Sequence, residues 1–171
     1  MEMKKMLAVL LPLMFSAAAT LAWGAEDSVV RWNSIVGIIT APAVDNPVGS
    51  IHGGAGPWSV RSGHARVDLS SGAAFFDVEG LVLNGGNSSG TPGPVTAVTG
   101  TLVCNPGPTA TVHDTAEVAL NVHGDAHFAG QISGIPASCG NPLFLLRIAQ
   151  LTGANGRWIA TGTERLIGSG Q

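Results

Sequence analysis

Five histidines, His52, His64, His113, His123 and His127, are the side chains best suited to chemistry in a 171-residue chain that is only 11% charged. His113, Asp114, His123, Asp125 and His127 crowd around one candidate hairpin. Imidazole and carboxylate at the mouth of a hairpin are ligands for Zn(II) or Cu(II), which makes His113, His123 and His127 the candidate metal set. The competing reading is plainer. His-Gly-Asp at 123–125 is a turn, His127 decorates a solvent face, and the spacing matches no standard ligand motif. His52, in Ile51-His-Gly-Gly54, sits in a loop that its glycines already explain.

Other patterns carry less. Gly86-Asn-Ser-Ser-Gly90 has the form of a nucleophile elbow, which needs a strand before the serine and a helix after it. Thr91-Pro-Gly-Pro94 follows and denies the helix. Asp77 and Glu79 share one face of a strand, but exposed carboxylates are poor general acids near neutrality. Cys104 and Cys139 are the only cysteines. In an oxidising compartment they are expected to form one disulfide, and closing a loop of about 36 residues is worth roughly 3–4 kcal/mol in the chain-entropy model.

The compartment is read from the amino terminus. Lys4 and Lys5, the apolar run from Met6 to Leu21 and the small-residue exit Ala22-Trp-Gly24 form a secretory signal peptide over residues 1–24, with cleavage before Ala25. About 147 residues then remain, enough for one domain over residues 25–171, with no second run able to span a bilayer. The expected location is extracytoplasmic, periplasmic or secreted. This mature part has six arginines and no lysine against ten acidic residues, a formal charge of −4. The arginines are scattered singly, so a nucleic-acid partner is excluded as an expectation.

The elements that must position these residues are strands. From Val29 onward, short runs rich in branched and aromatic residues alternate with clusters of Gly, Pro, Asn and Ser, and no segment carries a helical stripe. Strands are predicted at Val29–Trp32, Ile35–Thr40, Ala65–Leu69, Ala73–Leu83, Val95–Cys104, Glu117–Val122, Ala126–Ser133, Leu143–Gln150 and Arg157–Thr163. A two-residue turn at Ser71-Gly72 would set Val67 opposite Phe76 and Leu69 opposite Ala74 on the core face, with Arg66 facing Asp77 and His64 facing Glu79 in water. A second hairpin is predicted to join Val118, Leu120 and Val122 to Ala126, Phe128 and Ile132, and a third to join Leu143–Gln150 to Arg157–Thr163. Phe75 must then point away from the core, either beneath a Gly/Pro-rich loop or on a contact surface; the amount of such chain favours the loop. The fold class expected is all-β, an antiparallel β-sandwich or barrel-like domain.

The segment 62–81, SGHARVDLSSGAAFFDVEGL, with Gly90-Thr-Pro-Gly-Pro-Val95 after it, resembles the front half of the chordin-related CHRD domain. Residues 118–126, 135–142 and 156–162 are similar to exported bacterial proteins of that neighbourhood. The resemblance implies a β-sandwich-like extracytoplasmic module and no reaction. The family's His-Ile-His after the second strand has no counterpart, since Val82-Leu-Asn-Gly-Gly86 stands there.

Three functions are compatible with these readings. The leading one is a non-enzymatic exported module that binds an envelope or extracellular partner or serves a structural role in the envelope, with no cofactor. The alternative is a small Zn- or Cu-binding protein or enzyme using His113, His123 and His127. The third is a carrier enclosing an apolar ligand in its interior.

Overall fold

Alternation of apolar and polar residues builds ten strands in the computed structural model, which describes residues 28–41, 44–150, 153 and 156–167. The expected signal peptide lies outside the described residues. In chain order the strands are β1 (Val29–Gly37), β2 (Trp58–Ser59), β3 (Ser62–Asp68), β4 (Ala73–Glu79), β5 (Val82–Leu83), β6 (Ala97–Cys104), β7 (Thr111–Ala119), β8 (Ala126–Gln131), β9 (Leu143–Ala149) and β10 (Trp158–Ile167). No helix occurs among the described residues, so none there is long and apolar enough to cross a membrane.

Eight strands form one antiparallel sheet in the order β7-β6-β9-β10-β1-β3-β4-β8, while β2 and β5 pair separately. The sheet curls until it is nearly closed, so the fold is barrel-like rather than a two-sheet sandwich. Across the interior Phe76 of β4 meets Phe144 of β9, ring centres 5.7 Å apart, and Phe144 meets Trp32 of β1 at 5.6 Å. A methyl group at Gly100 of β6 would lie 2.7 Å from Phe76, so the barrel is narrow and filled from both walls.

Trp32, Phe76, Phe144, Leu102, Leu146, Val67 and Val98 are fully buried in this interior. Each such side chain removed from water contributes about 1.5–3 kcal/mol. The outward face carries Arg31, His64, Arg66, Asp77 and His127. An apolar inside with a charged outside reverses the pattern of a membrane barrel. A second, smaller cluster joins Val103 of β6 and Leu145 of β9 to Ile51, so the Gly/Pro-rich loop after β1 lies over the outer side of those strands.

Two of the three predicted hairpins are corrected. The β3–β4 hairpin keeps the expected faces but slips by two residues, with Val67 opposite Ala74, Ala65 opposite Phe76, Arg66 opposite Phe75 and His64 opposite Asp77. The cause is a longer turn. Asp68 Oδ1 accepts from the backbone N–H and hydroxyl of Ser70 at 2.9 and 2.7 Å, and Oδ2 accepts from the Ser71 hydroxyl at 2.7 Å. The Gly72 N–H closes the turn on the Asp68 carbonyl at 2.8 Å, and Gly72 takes a φ of 76° that suits glycine.

The second hairpin does not form as a ladder. β7 pairs with β6 and β8 with β4, so two strands adjacent in sequence occupy the two edges of the sheet. The turn between them is built by Asn121, whose Oδ1 accepts from the N–H groups of His123 and Asp125 at 2.8 and 2.9 Å. Leu120, Ala126, Phe128 and Ile132 are buried as expected, but Val122 is 78% exposed. The third hairpin, β9 with β10, is as predicted. Val29–Trp32 and Ile35–Thr40, read as two strands, are largely one, in which burial changes phase between Trp32 and Ile35.

Candidate functional site

The expected metal ligands stand on separate elements. His113 on β7 lies 3.0 Å from the Thr111 hydroxyl, His123 is exposed in the turn, and His127 on β8 bonds through Nδ1 to Asp77 at 3.2 Å. Asp125 is engaged structurally, accepting from the Gly80 N–H at 2.9 Å and from the Asn121 amide at 3.1 Å. The Gly80 N–H bond, first, and the Asn121 amide hold its carboxyl below the ordinary range. Among the described residues no group of three or more His, Cys, Asp or Glu side chains is placed to hold a metal ion. Gly86–Gly90 is surface loop with turns at Ser88 and Ser89, not a strand-to-helix elbow. Cys104, at the end of β6, and Cys139 lie at disulfide distance, with Cα atoms 4.7 Å apart, and Asn105 ties the same loop through its N–H to the Gly140 carbonyl at 2.8 Å.

The slipped β3–β4 register changes the outer face most. Arg66 loses the carboxylate expected opposite it and gains Phe75, whose ring centre lies 5.4 Å from its guanidinium carbon. Phe75 is half-buried and is not under the long loop, which covers β6 and β9 instead. Its neighbours are His64, at 5.3 Å between ring centres, and His127, edge-on at 5.0 Å. Asp77 and Glu79 are taken up separately, Asp77 by His127 and Glu79 by Arg61 at 3.1 Å and the Ser62 hydroxyl at 3.0 Å.

The arginines divide into two kinds. Arg61 pairs with Glu79, Arg147 with Asp114 at 3.0 Å, Arg157 donates to the Gly53 carbonyl at 2.7 Å, and Arg165 to the Pro142 carbonyl at 3.2 Å. Arg31 and Arg66 do neither: among the described residues no carboxylate lies within 4 Å of them, and neither donates a hydrogen bond. They are direct cross-strand partners of β1 and β3, both exposed on the same face. Like charges set opposite each other on neighbouring strands are destabilising.

Two shallow clefts of about 370 and 360 Å³ flank this pair, and both are lined by Arg31, Arg66 and Phe75. A cleft of about 700 Å³ beside Cys139 contains one charged group, Arg165, already bound to Pro142. A cleft of about 440 Å³ holds Ser50, His52, Arg147 and Arg157. There His52 bonds to Asp45, a partner the sequence reading missed, and Asp45 also accepts from the Gly53 N–H at 3.1 Å, so the pair fastens its own loop. The chain matches no family model, no curated protein and no solved structure.

Proposed function

We propose that this chain is an exported, non-enzymatic binding module of the periplasm or cell surface, whose ligand lies on the outward face of β1, β3, β4 and β8. The observation that carries the reading is the opposed Arg31–Arg66 pair beside half-buried Phe75, two uncompensated cations on a domain of net negative charge. Such a pair costs stability in the absence of a ligand, which is the pattern of a surface kept for binding. The filled interior speaks against the enclosed carrier, since Trp32, Phe76 and Phe144 occupy the space an apolar ligand would need. The metal-dependent alternative has less support, since His113, His123 and His127 stand on separate elements among the described residues. Support for export comes from the amino-terminal signal pattern and from a cysteine pair at disulfide distance, and the resemblance of residues 62–81 and 90–95 to the CHRD domain agrees with it.

The test is retention by isolated cell envelopes of the cells that produce the protein, measured by co-sedimentation. Wild type and the control His113→Gln on β7 are expected to sediment, and Arg31→Gln/Arg66→Gln to remain in solution while melting at an equal or higher temperature. Equal sedimentation of the double variant, or none by the wild type, overturns the reading.

A further inference from the structure

We infer that the ligand of this face is an acidic oligosaccharide, its carboxylates held by Arg31 and Arg66 and one sugar ring laid on Phe75. The inference rests on the binding role proposed above and names the chemistry of its ligand. A guanidinium fork takes a carboxylate through two parallel N–H bonds, and two forks on adjacent strands can take carboxylates from a single chain. The phenyl face carries negative charge density and attracts the C–H groups of a saturated ring.

Shape and the missing groups speak against an extended peptide, a lipid and nucleic acid. The two clefts meet at Arg66 and together follow β3 from Asp68 to His64, about 13 Å at the ordinary rise per strand residue. That is a track for a short run of linked rings. β1, β3 and β4, which carry Arg31, Arg66 and Phe75, each have ladder partners on both sides, so around these three side chains the face offers no main-chain N–H or C=O. An extended peptide, which is recognised through a sheet edge, would leave its own backbone unpaired here. Apart from Phe75 the exposed walls are charged or polar, as at Arg31, His64 and Asp68, or small, as at Ala73 and Ala129, and form no apolar channel for a lipid tail. Two arginines bordered by the carboxylates of Asp68 and Asp77 are too few for nucleic acid.

Calorimetric titration with a hexamer of galacturonate tests this, against a neutral glucose hexamer and hexaglutamate. The galacturonate hexamer is expected to bind saturably, to weaken at least tenfold in Arg31→Gln/Arg66→Gln and severalfold in Phe75→Ala, and to weaken with added salt. Absence of saturable binding overturns the inference, as does hexaglutamate binding equally well. Tight binding of the glucose hexamer removes the role of charge and overturns it too. Should envelope retention depend on Arg31 and Arg66 while the galacturonate hexamer neither binds nor competes, the ligand class falls and the binding face stands. Should retention be indifferent to both arginines, the face itself falls.

Discussion

Asp68 gathers the hydroxyls of Ser28, Ser70 and Ser71 and the Ser70 N–H, and these bonds, Ser28's first, hold its carboxyl far below the usual carboxylate range. The His52 hydrogen bond also lowers the Asp45 carboxyl, and the Gly80 N–H that of Asp125. Folding lowers these three pKa values, so their stabilisation is complete above about pH 4 and is lost as the pH falls through the lowered values. The thermal midpoint is therefore expected to drop steadily on acidification below about pH 4, and less steeply in Asp68→Asn than in wild type. Parallel melts across that range check it; identical slopes would remove Asp68 from the account. At this scale little of the candidate site was legible. That Arg66 meets Phe75 and not Asp77 depends on a turn two residues longer than Ser71-Gly72 suggests, and the length is set by the Asp68 side chain. Arg31 carried no signal at all, because its opposition to Arg66 is a long-range pairing of two strands.

Strands were legible where a two-residue alternation separates a wet face from a buried one, as in β3, β4 and β8, with Val67, Phe76 and Phe128 inside. β7 was cut short because its first half, Thr111-Val-His-Asp, has no buried face to announce it. The β7–β8 pairing was misread for a different reason: closeness in sequence is ordinarily closeness in the sheet, but barrel closure sends these neighbours to opposite edges. β6 shows what closure demands locally. Its ladder slips between Thr99 and Thr101, the Gly100 N–H turns to the Thr115 hydroxyl at 3.0 Å, and the space a side chain would fill belongs to Phe76 and Phe144. Gly100→Ala is expected to cost about 1–3 kcal/mol by overpacking, read from urea denaturation. A variant as stable as wild type would show that the two rings can move apart.

For the molecule as a whole, the all-β class was legible in composition and periodicity and the approach of Cys104 to Cys139 in the cysteine count, whereas barrel over sandwich was not, because both bury the same alternation. Reduction of the Cys104–Cys139 pair is expected to lower stability by roughly 3–4 kcal/mol, since it reopens a loop spanning the end of β6 and all of β7 and β8. Denaturant melts with and without reductant measure it, and free thiols in the unreduced, unfolded protein would refute the bridge. The first long strand has a further consequence. β1 lies between β3 and β10, so one of its two flanks is supplied by a strand far downstream, residues 158–167. Until residues 158–167 are made, the β1-β3-β4-β8 half of the sheet has no ladder to the β7-β6-β9 half, and pairings so distant along the chain form slowly. Union of the two halves therefore waits for β10, so the common core is completed only once every described strand has been made.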